Sequence, residues 1–435
     1  MPGIDAPRDL THVVILGGGF GGLYAARALA RTPVRVTLID RRNHHLFQAL
    51  LYQVATAGLN PSDIAYPIRR VFRTQRNVTV LLGDAVEIRP AEKKVVLSDG
   101  EVAYDRLIVA TGATHSYFGK DEWSQDAPGL KTLEEALDIR RRVLLAFEAA
   151  ERISDPARRL EWLTFVIVGG GPTGVELAGA LGEISRHALV RDFRNVDPAQ
   201  AKVLILEGGP RILSTFPEDL SARAVEQLRA LGVEVRTGAR VTGIDATGVD
   251  VGAERIPART VIWAAGVQAS PLARSLGAPL DRAGRVKVLP DLTVPGSPDV
   301  FVIGDLADFE QEGKPCAGVA PFAIQSAIHT AENIARSLRG EPLVPFRYDD
   351  QGSLATIGRN SAVAVLGKRH LSGRLAWWAW LVIHIYKLIG FRNRFFVLLS
   401  WAWAYITFER GARLITGPVG PIALPPPGPT GPKTS

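Results

Sequence analysis

The chain holds one cysteine, Cys316, among 435 residues. That count excludes an intramolecular disulfide, a Cys-x-x-Cys redox pair and a cysteine-built zinc or iron–sulfur centre, and it predicts a reducing compartment. No His-x-x-Glu or comparable spacing argues for iron on histidines and carboxylates, so no metal site is expected. The first ten residues carry no apolar run ahead of the first strand, which reads against a secretory signal. Two apolar stretches stand out, fifteen residues (375–389, with one lysine) and fourteen (395–408, uncharged). Both fall short of the ~20 residues that cross a bilayer.

Acid is scarce in the same region. Between Lys368 and Arg413 eight basic residues face one acid, Glu409, a surplus equal to the net charge of +7 for the whole chain. A nucleic-acid binder spreads a basic stripe over a folded domain. Here the positive charge flanks the apolar stretches, which also hold five of the eight tryptophans (Trp377, Trp378, Trp380, Trp401, Trp403). Tryptophan suits the boundary between acyl chains and headgroups, and Lys and Arg are drawn to anionic lipid. The expectation is a pair of helices lying in one leaflet's interface, with nucleic acid excluded as a partner.

Glycine, in contrast, is placed with purpose. THVVILGGGFGGL (11–23) and LTFVIVGGGPTGV (163–175) each carry Gly-x-Gly-x-x-Gly after a β-branched run, on Gly17, Gly19 and Gly22 and again on Gly169, Gly171 and Gly174. Such loops permit a tight turn and close approach of backbone to a pyrophosphate, and the next helix offers its free N–H groups to the phosphates. Each is followed by a second strand ending in an acid, VRVTLID at Asp40 and AKVLILE at Glu207, placed to accept from ribose hydroxyls. A carboxylate at Glu207 disfavours the 2′-phosphate of NADPH, although Arg211 lies nearby to offset it. DRLIVATG (105–112) is echoed by ARTVIWAAG (258–266), so the fold plan is duplicated. Two dinucleotides on one polypeptide suit electron transfer between a nicotinamide and a bound flavin.

The fold class expected is α/β: two Rossmann-like dinucleotide-binding domains, the second inserted in the first, plus a C-terminal membrane-associating helical segment. The expected limits are 10–130 with 290–345 for a discontinuous FAD domain and 160–275 for the NADH domain. A C-terminal domain with amphipathic anchoring helices covers 346–417, and a Pro-rich disordered tail covers 418–435.

The chain resembles the type II NADH dehydrogenases, the single-subunit, non-proton-pumping NADH:quinone oxidoreductases of the two-dinucleotide-fold flavoprotein superfamily. The resemblance runs from about Thr11 to Gly417. It rests on the two glycine motifs, DRRNHHLFQALLYQVATAGL (40–59), ATG (110–112), EGGPRIL (207–213), WAAGV (263–267), GDLA (304–307) and RNRFFVLLSWAWAYITFERGARLITG (392–417). The stretch after Asp40 and the closing segment are the specific ones.

The resemblance implies non-covalent FAD on Gly17, Gly19, Gly22 and Asp40, with Ala110, Thr111 and Gly112 lining it and Asp305 toward the ribityl chain or the pyrophosphate end. It implies NADH on Gly169, Gly171, Gly174, Glu207, Ala265 and Gly266. Glu176 and Gln325 are the implied catalytic residues: Glu176 is directed at the nicotinamide and a proton relay, and Gln325, with Ala320, sits beside the flavin and quinone head. APFAIQ (320–325) departs from the family's Ala-Gln-x-Ala-x-Gln by placing Pro321 where a glutamine is usual, so one amide for the quinone is missing. His329 is read as structural. The implied partners are NADH, a membrane quinone (ubiquinone or menaquinone) and the bilayer surface, with a homodimer as the family's habit. The implied location is the cytoplasmic face of the inner membrane, peripheral and monotopic, within a respiratory electron-transport chain.

The alternative is a soluble-type NAD(P)H-dependent flavoprotein reductase serving another carrier, which gives no reason for the tryptophan-rich cationic end. Sulfide:quinone oxidoreductases share the plan, but their chemistry needs cysteine persulfides, and Cys316 is alone. A non-enzymatic membrane scaffold stabilised by FAD is the third reading.

Overall fold

The structure is a computed structural model that describes residues 10–316, 318–388, 391–407 and 410–416. The Pro-rich tail (418–435) lies outside these residues. In chain order the principal elements begin with β1 (Thr11–Leu16), α1 (Phe20–Ala28), β2 (Val34–Asp40), α2 (Leu51–Ala55), β3 (Val78–Leu82), β4 (Arg106–Val109) and α3 (Leu133–Arg152). They continue with β5 (Thr164–Val168), α4 (Pro172–Glu183), β6 (Lys202–Leu206), α5 (Glu218–Ala230), β7 (Val233–Arg236), β8 (Thr260–Trp263), β9 (Ser297–Val302) and α6 (Ala320–Leu338). The last are β10 (Ser353–Gly358), β11 (Ser361–Leu366), β12 (Arg369–Ser372), α7 (Arg374–Lys387) and α8 (Phe391–Thr407).

Two compact units share the chain. The first takes residues within 10–47, 65–116 and 266–352; the second takes residues within 48–64, 117–265 and 353–416. The first is built on a six-stranded sheet in the order Thr293–Val294, β9, β4, β1, β2, β3, parallel except at the Thr293–Val294 edge. The second holds a four-stranded parallel sheet in the order β7, β6, β5, β8. Strands buried on both faces need continuous Val and Ile runs, and Val13, Val14 and Ile15 in β1 match Val166 and Ile167 in β5, all without exposure. In both units a three-stranded antiparallel meander (85–103 and 241–257) precedes the strand that returns to the parallel sheet, β4 or β8. The sequence duplication is therefore a duplication of topology, and the fold class is the one expected.

The second unit also contains the antiparallel sheet β10-β11-β12 and the helices α7 and α8. Helix α3 begins in a capping box in which Thr132 Oγ1 accepts from the Glu135 N–H at 3.1 Å and Glu135 Oε2 accepts from the Thr132 N–H at 2.9 Å. Its buried Ala136, Ile139, Val143, Phe147 and Ala150 make one helical stripe, and α2 packs in contact with α3. Helix α4 stops as an α-helix at Glu183 and continues as a π-turn over Ile184–Ala188, where the sequence predicts an unbroken helix to 190. The widening falls in the last turn of the helix, so too few residues follow it for a 3.6-residue period to register the change.

Gly179 sets how closely α4 meets β10. A Cβ there would overlap the carbonyl oxygen and carbon of Ile357, which are backbone atoms that cannot step aside. Gly179→Ala is therefore expected to destabilise the protein by about 2 kcal/mol or more through overpacking. Thermal unfolding followed by flavin release checks this, and an unchanged midpoint would contradict the packing described.

Candidate active site

The first unit presents a nucleotide cradle at the carboxyl edge of its sheet. Gly17, at φ +99°, lies against the backbone of Ala110, and a side chain at Gly22 would strike the carbonyl of Gly17; both positions require glycine. Nothing approaches Gly19, which is the N-cap of α1 and offers no side-chain cap, so the helix's first N–H groups stay open for phosphate. Asp40 Oδ2 accepts from the Gly18 N–H at 2.5 Å and Oδ1 from the Arg42 N–H at 2.6 Å. These bonds fix the carboxylate beside the loop while leaving lone pairs for ribose hydroxyls.

A groove lined by Gly17, Asp40, Arg41, Gly83, Thr111 and Ser270 runs along this edge. Thr111 Oγ1 is buried with no hydrogen-bond partner among the described residues, as expected of a hydroxyl that awaits a ligand. Ala110 N–H donates to the Leu16 carbonyl at 2.8 Å, and Gly112, at φ +67°, accepts from the Ser270 N–H at 3.2 Å. Asp305 follows β9 with Gly318 packed against its carboxyl, and that carboxylate has no protein hydrogen-bond partner among the described residues. Open acceptors, bare loop N–H groups and an orphaned hydroxyl along one groove fit an extended FAD.

Ala320 opens α6, and Pro321 occupies the next position, where a helix needs no N–H. Gln325 is committed at both ends of its amide: Nε2 donates to the Asp349 carbonyl at 2.8 Å and Oε1 accepts from the Asp349 N–H at 2.9 Å. His329 bonds the Val344 carbonyl through Nε2 at 2.9 Å, a structural position.

The second unit repeats the cradle. Gly169, at φ +110°, lies against the Ala264–Ala265 backbone; a side chain at Gly174 would overlap the Gly169 carbonyl; and Gly171 caps α4 with open space before it. Glu207 Oε2 accepts from the Gly170 N–H and Oε1 from the Gly209 N–H, both at 2.7 Å. Arg211 turns away to donate to the Leu213, Ser214 and Phe216 carbonyls at 3.2, 2.7 and 2.7 Å. It is spent on the loop rather than held ready for a 2′-phosphate. Ala265 closes the second unit's segment, and Gly266 opens the first unit's next one.

Glu176, in the second turn of α4, faces a different space: a cavity of about 140 Å³ that is open at its mouth. Enclosure by protein pushes its carboxyl up to about 8, against which a hydrogen bond with the Thr356 backbone works in the other direction. Three tryptophans, Trp377, Trp380 and Trp401, form part of the wall. Burial, and next the Glu176 charge, hold the Tyr52 phenol well above its usual range. Trp401 Nε1 donates to Gln53 Oε1 at 2.7 Å, and Gln53 Nε2 donates to Tyr52 Oη at 2.8 Å. Farther along, Arg410 Nη2 pairs with Glu183 Oε2 at 3.1 Å, and Nη1 donates to the Thr56 carbonyl at 2.8 Å. The Arg359 N–H donates to Glu183 Oε1.

The structure thus gathers Gly17, Gly19, Gly22, Asp40, Ala110, Thr111, Gly112 and Asp305 in one unit and Gly169, Gly171, Gly174, Glu207 and Glu176 in the other. Sequence reasoning missed Tyr52, Gln53, Glu183 and Arg410 as cavity residues. Glu183 carried a signal, since it lies seven residues beyond Glu176 and two turns of helix bring it to the same face. Arg410 carried none, being 227 residues from its partner.

Comparison with known proteins agrees with this geometry. A family profile described as pyridine nucleotide-disulphide oxidoreductase matches residues 11–333, and one described as NDH2 C-terminal domain matches 351–409. The type II NADH:quinone oxidoreductase Ndh of Mycobacterium tuberculosis is 47% identical over 431 residues, covering 95% of this chain and 92% of that one. NdhA of the same organism is 46% identical, covering 93% and 89%. Among solved structures, NDH2 from Plasmodium falciparum in complex with NADH superposes with a TM-score of 0.82 at 21% identity, covering 94% of this chain and 100% of that one. The sulfide:quinone oxidoreductase of Aquifex aeolicus gives 0.71 at 20%, covering 88% and 92%; at such identities both structures speak for the fold alone. With glycine cradles, acids and cavity in place, the chain belongs to the type II NADH:quinone oxidoreductases, FAD-dependent enzymes that pass two electrons from NADH to a membrane quinone.

Proposed function

We propose that quinone is reduced in this enzyme at the cavity of Glu176, and that Glu176 supplies a proton there. The observation that carries the reading is a carboxyl group enclosed in a pocket walled by the tryptophan-rich helices, where burial pushes it up to about 8 and so favours the neutral acid at pH 7. The overall reaction, NADH + H⁺ + quinone → NAD⁺ + quinol, takes one proton from solution. FAD, when bound, supplies the two-electron chemistry between the two substrates. The chain's own residues orient both nucleotides through the glycine cradles, keep water from the exchange and hold the proton at a Glu176 carboxyl oxygen.

The site assignments follow the same division. FAD is assigned to Gly17, Gly19, Gly22, Asp40, Ala110, Thr111, Gly112, Asp305 and Ala320. NADH is assigned to Gly169, Gly171, Gly174, Glu207, Ala265 and Gly266. NADH over NADPH is favoured by Glu207 together with an Arg211 that is tied to its own loop. Gln325 enters with the one amide hydrogen that its pairing with Asp349 leaves. The domain limits proposed are 10–130 with 290–345 for FAD, 160–275 for NADH and 346–417 for the C-terminal domain. From family habit alone we also propose a homodimer, which light scattering in detergent reads directly.

The second partner proposed is the bilayer surface, in a peripheral, monotopic mode. No described helix is long and apolar enough to cross a membrane. On α7, Leu375, Trp378, Val382 and Tyr386 recur at helical spacing and are exposed, Trp378 by 53% and Tyr386 by 75%; on α8, Phe395, Leu399 and Trp403 do the same. An apolar stripe of this kind is a liability in water and suits the headgroup–acyl boundary.

Two outcomes are expected. Glu176→Gln should lower quinone turnover about 10²-fold with FAD retained, and the decline of turnover as pH rises through about 8, where the carboxyl loses its proton, should vanish with it. Steady-state kinetics across pH with both substrates saturating check this, and an unchanged rate would reject the role. Trp378→Glu combined with Tyr386→Glu should move the flavin-loaded protein from the pellet to the supernatant when it is sedimented with anionic phospholipid vesicles. Retention in the pellet would rule out this face as the lipid contact.

A further inference from the structure

Glu176 is the cavity's unpaired acid; seven residues on, along the same face of α4, stands a paired one. Glu176, Ala180, Glu183 and His187 all line the cavity, at intervals of four, three and four residues, so one face of α4 and its π-turn forms a continuous wall. Glu183 is about 10 Å from Glu176 along the helix axis. Its carboxylate is fully engaged, with Arg410 on one oxygen and the Arg359 N–H on the other. Both partners of the ion pair are mostly shielded, at 13% and 19% side-chain exposure. Arg410 reaches the pair from the C-terminal segment and is fastened to the Thr56 carbonyl as well.

We propose that the Glu183–Arg410 pair is a positioning element for quinone reduction, whose two charges cancel at Glu176 and so leave its proton in place for delivery. This rests on the reading of Glu176 as the proton donor. A cation alone at the Glu183 position would pull Glu176 toward its ionised form and remove the proton; an anion alone would hold the proton too firmly. Paired, they contribute nothing net. The groups that face Glu176 are Tyr52 from α2, Arg359 from the β10–β11 turn, Arg410 from the C-terminal segment, and Glu183 and His187 from its own helix and π-turn. Tyr52 senses the charges of Glu176, Glu183 and Arg410 together, so the pair and the acid share one field. An ion-paired carboxylate with both oxygens occupied is a poor proton carrier, which makes an electrostatic role the fitting one for Glu183.

The test is a charge cycle on the flavin-loaded enzyme, reading the alkaline limb of quinone turnover. Glu183→Gln strands the Arg410 guanidinium, which stays charged, and should move the limb down by about one pH unit for a unit charge at this separation. The double variant E183Q/R410Q strands no charge and should return the limb to its original place, and R410K should keep it there. The quinone KM, measured alongside, reports pocket shape and is read apart from the position of the limb. A limb that does not move in E183Q, or that stays displaced in the double variant, overturns the proposal. If E183Q does not retain flavin, R410Q, which strands the Glu183 carboxylate instead, takes its place and should move the limb up, and a limb that does not move overturns the proposal. A limb that persists in E176Q would instead remove the reading of Glu176 on which the proposal rests.

Discussion

A carboxyl group enclosed by protein keeps its proton at neutral pH unless a cation or several donors compensate for lost water. Glu176 has the Thr356 backbone for partial compensation, while Arg410, one of the two arginines that line its cavity with Arg359, is engaged by Glu183 and Thr56. The arrangement around it follows from that condition. Helix α4 must pack tightly on β10 to bring Thr356 and the Ile357 backbone to its flank, and Gly179 permits the approach. Helix α2 must carry Tyr52 and Gln53 to the opposite wall, and Trp401 of α8 is tied to it through Gln53. A helix that exposes Phe395, Leu399 and Trp403 is thereby hydrogen-bonded to the wall of the Glu176 cavity.

The nucleotide cradles answer to a different constraint, and both units meet it with the same parts. A phosphate must approach backbone N–H groups at a helix start, so the strand's end, the loop and the first helical turn must be free of side chains. Asp40 and Glu207 then use both oxygens to grip their own loops, one bond to the residue after the first glycine and one to the residue two beyond the acid. The acid proposed to meet the ribose also fixes the glycine loop beside it, so a substitution there is expected to disturb both.

Much of this was legible in the sequence because it depends on local rules. Val and Ile runs ending in glycine fingerprints announced β1, β5 and the helices after them, and the acids at 40 and 207 lay where the second strands end. The pairing of short strands into duplicated meanders after the cradles was not readable, since pairing is a non-local choice. The π-turn at Ile184–Ala188 escaped because it is the last turn of the helix, with no apolar pattern beyond it to show a shift of phase. The cavity was hidden for a plainer reason. Its members come from segments around 52, 176, 357, 377 and 410, and no spacing rule links an arginine to a glutamate 227 positions earlier. Gln325 is the instructive case: resemblance marked the residue, while the geometry spends most of its amide on the Asp349 backbone.

The central claim, that the cavity stores a proton on Glu176 for the quinone, can be read without turnover. Infrared difference spectroscopy of the flavin-loaded protein, titrated across neutrality, detects the C=O stretch of a protonated carboxylic acid. The account predicts such a band at pH 7, lost as pH rises through about 8 and absent from Glu176→Gln. A Glu176 already ionised at pH 7, with no band that the substitution removes, would contradict it.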